Sequence, residues 1–200
     1  MERTRHIGRK LTSLNFETGE CTFQEPTILT NDPSFTAWGW AVVSTHGKVI
    51  ATGCIKTEPE HKKLRTRVSD DRARRTSEIV RKLLATIKKY NVHCILTEAP
   101  HGSQNANAAV MIGIVQGIVQ TMADLLSLPI EYYSEQDSKK ELLGKKSATK
   151  TETIVAIGKL YGHSFLTGTK YIDEAVADAL AVHYVANQQS PMLKMMKHER

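Results

Sequence analysis

The sequence predicts one α/β domain, a mixed sheet flanked by helices, and three observations carry the prediction. The strand-like runs TILTND, WGWAVVS and KVIATGCI follow one another across short turns. A continuous apolar run, VHCILTE, stands between two helical segments, and a second short strand, PIEYYS, lies further on. The remaining periodic segments are helical. A meander followed by alternating helices and strands is the pattern of helices packed on a mixed sheet. The 200 residues, 40% of them hydrophobic, suffice for one core of ordinary size. The expected organisation is an N-terminal extension over 1–25, flexible, a domain over 26–188 and a polar tail over 189–200.

Each element has its own signal. In the meander the second turn is Thr45-His46-Gly47. Residues 58–67, EPEHKKLRTR, show no apolar period and read as a basic surface loop. Residues 70–90 begin with acids, end with bases and place Ile79, Leu83, Leu84 and Ile87 at helical spacing, which predicts an amphipathic helix. The strand ending at Glu98 is apolar throughout, as in an inner strand covered on both faces. Residues 105–128 are small and apolar nearly all round, which predicts a helix buried between the sheet and its neighbours. Helices are expected over 139–144 and 149–161, the second started by Thr149 or Thr151 with Glu152, and a last one over 173–189.

The formal charge of +6 points to a polyanionic partner, with nucleic acid first. Cys21, Cys54 and Cys94 are widely separated and show neither a disulfide framework nor zinc spacing, in keeping with a reducing compartment. No run reaches the roughly 18 apolar residues of a membrane span, because 108–122 is broken by Gly113, Gln116, Gly117 and Gln120. No membrane partner is expected. Residues 1–20 lack a hydrophobic signal core, so the setting expected is cytoplasmic, with an organellar leader as the alternative.

Asp32 and Glu98 both sit where a buried strand runs out into a turn, and such strand ends border the ligand crevice of open α/β sheets. Asp178 lies inside an Ala/Val/Leu helix, with Glu174 one turn earlier on the same face. Together these acids suit hard oxygen ligation of Mg²⁺ or Mn²⁺ beside a phosphate. Two such ions, about 3.5–4 Å apart, would serve phosphodiester hydrolysis. Singly, each acid has an ordinary reading: Asp32 as a turn former before Pro-Ser, Glu98 as a strand end, and Asp173 or Glu174 as helix-start acids. Asp178 fits an ordinary reading least, because an acid on a small-residue helix must be paired or face a site.

The stretch SEQDSKKELLGKKSATKTE holds five lysines in twelve positions. One reading is a solvated basic face. The other brings Lys139 or Lys140 and Lys150 to the scissile phosphate, where a lysine of lowered pKa could also donate a proton. His101, in the turn after Glu98, could stack on a base, contact phosphate or have no function. Trp38 and Trp40 share one face of their strand and read as core or a dimer contact before a stacking platform.

These residues resemble the RuvC-type Holliday junction resolvases of the RNase H-like nuclease superfamily, over residues 28 to about 186. Asp32 before Pro-Ser, Glu98, and Ala-Asp-Ala-Leu-Ala at 177–181 stand in family order. From Glu98 to Gly117, including Asn105 and Gly113, the register resembles the bacterial enzymes without a gap. Gly144 and Ser147-Ala148-Thr149-Lys150 are similar to the family's Gly-Lys-Gly-Ser-Ala-x-Lys stretch. The resemblance implies an RNase H-like fold with a mixed five-stranded sheet. It implies a homodimer that binds four-way DNA junctions and nicks two opposed strands, using divalent metal, Mg²⁺ or Mn²⁺, two per site. Asp32, Glu98, Glu174 and Asp178 are then the ligands, with Asp173 the alternative to Glu174, and Lys139 and Lys150 the functional lysines. His101, Asn105, Lys140, Lys145, Lys146 and Ser147 are candidate DNA contacts.

Three features depart from the family. Ala175 occupies the position of its usual fourth ligand, three residues before Asp178, and His101 replaces an aromatic. The extensions at both ends and Asn31 before Asp32 complete a divergent pattern that a phage source would fit. Two other classes share the bottom-up chemistry: a branched-DNA-binding protein without nuclease activity, and an RNase H-like or transposase-like nuclease acting on other nucleic acids. An actin-like ATPase fragment shares the opening strand-Asp-turn, but Gly-rich phosphate loops do not follow.

Overall fold

The computed structural model describes residues 10–14, 21–60 and 66–198. Strands β3 (Thr27–Asp32), β4 (Ala37–Ser44) and β5 (Val49–Lys56) form the antiparallel meander, and β6 (Val92–Ala99) and β7 (Ile130–Ser134) join it in parallel. The sheet order is β5-β4-β3-β6-β7, so β3 and β6 lie at its centre. Helices α1 (Val68–Lys89) and α2 (Ala106–Leu126) cover one face. Helices α3 (Glu135–Leu143), α4 (Lys150–Tyr161), α5 (Lys170–Gln189) and α6 (Pro191–His198) lie on the other side of the chain's course, with α5 crossing β3, β4 and β6.

The strand pleat sorts side chains by parity. Leu29, Trp38, Val42 and Ile95 pack with Ile79, Leu83 and Ile87 of α1 and Val115, Ile118 and Val119 of α2. Ile28, Cys94 and Leu96 point the opposite way, against Val182 and Ala186 of α5 and Leu193 of α6, while Ala41 and Val43 meet Val176 and Leu180 of α5. Gly39 is required where α5 crosses β4, since a Cβ there would lie 2.0 Å from the Ala175 carbonyl oxygen. Trp38 is fully buried, its indole N–H donates to Asn31 Oδ1 at 3.1 Å, and half-buried Trp40 packs on the same core. Both tryptophans are core residues.

Three expectations change. Residues 189–200 do not form only a polar tail, because α6 buries Leu193 and Met196, three apart, with Ser190 Oγ accepting from the Leu193 N–H at its start. Within 1–25, Lys10–Leu14 (β1) and Cys21–Gln24 (β2) pair antiparallel, an element the basic composition did not signal; the rest of that extension lies outside the described residues. α2 is not buried all round. Val115, Ile118, Val119, Met122 and Ala123 face the sheet, while Val110, Gly113, Gly117 and Leu125 face outward. By length and composition α2 is also apolar enough to cross a membrane, with a mean hydropathy of 1.6, so the Gly and Gln residues do not break it as expected. Its inward face nevertheless packs on the sheet.

Candidate active site

The parity that fills the core also builds the site. Asn31 pairs with Thr97 in the parallel β3–β6 ladder, so the next residues, Asp32 and Glu98, end adjacent strands side by side. Asp32 follows Ile28 and Thr30, and Glu98 follows Cys94 and Leu96, on the face that α5 crosses. Asp32 also stands opposite Gly39, the residue against which Ala175 packs, and Asp178 lies one turn further along α5. The turn after Asp32 is pinned from the far face. Buried Arg75 of α1 donates to the Phe35 carbonyl at 3.2 Å and to Thr57 Oγ1 at 2.9 Å, and its guanidinium lies over the Phe35 ring. Arg75 continues the apolar row Ile79-Leu83-Ile87 by one turn, a spacing that would have identified it.

The electrostatics are those of crowded carboxylates that Lys139 and Lys150 compensate only in part. Burial first, and then the charges of Asp178 and Glu135, push the Asp32 carboxyl well above the usual carboxylate range; Lys150 offsets part of this. Burial, then Asp32, Asp178 and Glu135, do the same to Glu98. Asp178 is raised to about 6, chiefly by burial. Among the described residues no hydrogen bond reaches any of these three carboxylates. Hard oxygen donors, half-buried and mutually repelling, fit a divalent cation. No group of three or more His, Cys, Asp or Glu side chains among the described residues already stands as a cation cage, so the donor chemistry fits rather than a preformed geometry.

The structure separates the two candidates for the fourth acid. Asp173 is buried and committed to the loop before α5: its Oδ1 accepts from the Thr167 N–H at 2.7 Å and the Thr167 hydroxyl at 2.8 Å, and Oδ2 from the Gly168 N–H at 3.2 Å. It anchors the start of α5 and is not presented to the group. Glu174 is, with Lys150 Nζ at 3.5 Å from its carboxylate and its charge felt by Asp178.

Lys150 is the first residue of α4, whose start is fixed by a capping box between Thr149 and Glu152. Burial opposes its charge, but Asp178, Glu174 and Asp32 outweigh that and hold its pKa above the ordinary lysine value. This direction is opposite to the lowering that a proton donor near neutral pH would need. Lys139 of α3 is mostly buried, and Asp178 and Glu98 feel its charge. Lys140, Lys146 and Ser147 are exposed, and Lys145 is ion-paired with Glu152. Asn105 is the N-cap of α2, its Oδ1 accepting from the Ala108 N–H at 3.1 Å. His101 is exposed, with Nε2 3.3 Å from Glu135.

Sequence reasoning missed Glu135. It follows the last residue of β7, which pairs with the end of β6, so a third parallel strand also closes on an acid. The strand-end position that identified Asp32 and Glu98 was there, but Glu135 also opens a polar helix, where an acid is ordinary.

A five-stranded mixed sheet of this order, with acids at the ends of its two central strands and on the helix crossing them, defines a protein of the RNase H-like class. Within that class, the chain belongs to the family described as crossover junction endodeoxyribonuclease RuvC, whose model matches residues 28–185. A RuvC from Protochlamydia amoebophila is 26% identical over 175 residues, spanning 86% of this chain and 96% of that one. A Zymomonas mobilis RuvC is 28% identical over 154 residues, covering 76% and 84%. Among solved structures, Thermus thermophilus RuvC in complex with a Holliday junction substrate superposes with a TM-score of 0.64 at 20% identity, over 82% of this chain and 96% of that one. A yeast mitochondrial Holliday junction resolvase does so with 0.59 at 12% identity, over 86% and 81%.

Proposed function

We propose that the protein is a structure-selective endonuclease that resolves four-way DNA junctions by metal-dependent phosphodiester hydrolysis. The observation that carries this reading is the register placing Asp32 beside Glu98, with Asp178 and Lys150 within electrostatic reach. Asp32, Glu98 and Asp178, with Glu174, would hold Mg²⁺ or Mn²⁺, two per site. When bound, such ions supply an acidified water and stabilise charge on the phosphate and the leaving oxygen.

The chain's own groups orient the strand. Lys139 and Lys150, which both lie between Glu98 and Glu174 in sequence, attract the scissile phosphate and offset the negative charge that grows as water attacks in line. The phosphorus–O3′ bond breaks, leaving a 5′ phosphate and a 3′ hydroxyl. The net charge of +6 supports phosphate contacts that make binding steeply salt-dependent. Two opposed nicks need two sites, and the outward face of α2, with Val110, Leu125 and the open positions Gly113 and Gly117, is where a second copy would dock. A cytoplasmic setting, in a bacterium or a phage-infected cell, goes with this reading.

The test is a substrate panel: a synthetic four-way junction, a fork, linear duplex and an RNA–DNA hybrid, each with Mg²⁺, Mn²⁺ or chelator. Paired symmetric nicks on the junction alone, absent in chelator, are expected. Junction binding without nicks would make it a binding protein, and equal cutting of duplex or hybrid would make it another RNase H-like nuclease.

A further inference from the structure

Glu135 borders the carboxylate group but is engaged quite differently from its members. It is the first residue of α3, set by the cap Ser134, the last residue of β7. One carboxylate oxygen accepts from Lys139 Nζ, one helical turn on, and the other lies 3.3 Å from His101 Nε2 in the loop after β6. Asp32, Glu98 and Asp178 have no such partners among the described residues. Lys139 and Lys140 are neighbours in sequence with opposite fates: Lys139 is 14% exposed and ion-paired, while Lys140 is exposed and has no ion pair among the described residues.

We propose that Glu135 is a positioning residue, holding the Lys139 ammonium and the His101 ring, from two separate segments, as a preset pair at the scissile phosphate. The proposal rests on the phosphodiester-cleaving reading of the site. A lysine on a four-carbon stem loses rotamer freedom when fixed, and a Glu one turn before it fixes it in advance. Glu135 also repels both the other acids, whose protonation its charge favours, and any incoming phosphate. An acid that weakens ground-state binding is useful only if it aligns groups for the transition state. Its two oxygens already face the Lys139 ammonium and the His101 ring, which distinguishes it from an ion ligand.

The test combines single-turnover nicking of a four-way junction with junction binding in chelator. Glu135→Gln should slow nicking about tenfold while tightening metal-free binding about three- to tenfold, with a salt dependence steeper by about one phosphate charge as Lys139 is released. In a Lys139→Met, His101→Ala background the same substitution should change nicking less than about twofold, because the effect runs through that pair. Glu135→Asp, which keeps the charge but not the reach, should slow nicking without the gain in binding. Equal slowing in both backgrounds, weakened binding, or a tenfold higher Mn²⁺ requirement would overturn the proposal, the last by making Glu135 an ion ligand. If the wild type binds DNA but nicks no junction, the resolvase reading fails; the binding comparison still decides Glu135, and unchanged binding by Glu135→Gln rejects it.

Discussion

The two faces of the central strands are made from alternate residues of the same six or eight positions, yet they do opposite things. Leu29, Asn31, Trp38 and Ile95 point toward α1 and α2 into a largely apolar core in which the Asn31 side chain is paired with the Trp38 indole. Ile28, Thr30 and Asp32, with Cys94, Leu96 and Glu98, begin equally apolar beneath α5 and α6 and end in carboxylates that no hydrogen bond reaches among the described residues. One face carries stability, and the other spends some of it on a charged crevice. Pleating lets a single strand do both, because a change at one residue leaves its neighbour's face untouched.

The comparison breaks if a core substitution on the α1–α2 face abolishes chemistry directly. Trp38→Ala should cost about 3–5 kcal/mol in urea unfolding through the cavity it leaves, while nicking per folded molecule stays within about threefold. Gly39→Ala tests the coupling between faces. The added methyl meets the Ala175 backbone, so α5 and Asp178 must shift, and both stability, by about 2–3 kcal/mol, and nicking should fall. A rate unchanged by Gly39→Ala would separate α5 from the site.

Stability against pH sharpens the contrast further. The site acids have folded pKa values raised above their unfolded values, so between about pH 4 and the folded values the folded protein holds protons that the unfolded chain has lost. In chelator, the stability they contribute is present below about pH 4 and is lost as pH rises, through about 6 for Asp178 and higher for Asp32 and Glu98. Buried His183, its pKa lowered to about 4, works the other way over the lower part of this range, so the acids are read by difference: from pH 5 to 8 the thermal midpoint in chelator should fall more, or rise less, for the wild type than for Asp32→Asn. Identical pH dependence in the two proteins would contradict the crowding of these acids. The smallest effect is expected from Asp173→Asn, which weakens an anchor of α5 by about 1 kcal/mol and leaves the Mn²⁺ requirement unchanged, whereas Glu174→Gln should raise it.

Much of this was legible in the chain. Alternating and helical periods located β3–β7 and the main helices to within a few residues, because those patterns arise from the burial that forms the elements. Asp32, Glu98 and Asp178 were legible because an acid at the end of an apolar strand or within a small-residue helix conflicts with its surroundings. Glu135 was not, since it opens a polar helix where acids are ordinary. Spacing one turn before Asp178 favoured Glu174 over Asp173 but could not show that the Asp173 carboxylate is taken up by the Thr167 and Gly168 loop. Helix α6 was hidden by its lysines, because two buried residues three apart, Leu193 and Met196, are too few to make a period.

The most direct test of the account is single-turnover cleavage of a four-way junction by Asp32→Asn in Mg²⁺ at saturating protein. A loss of about a thousandfold or more, with junction binding in chelator retained, is the predicted result, since the carboxylate serves the reaction and not the fold. Cleavage within tenfold of the wild type would contradict it, and would move the chemistry away from the paired ends of β3 and β6.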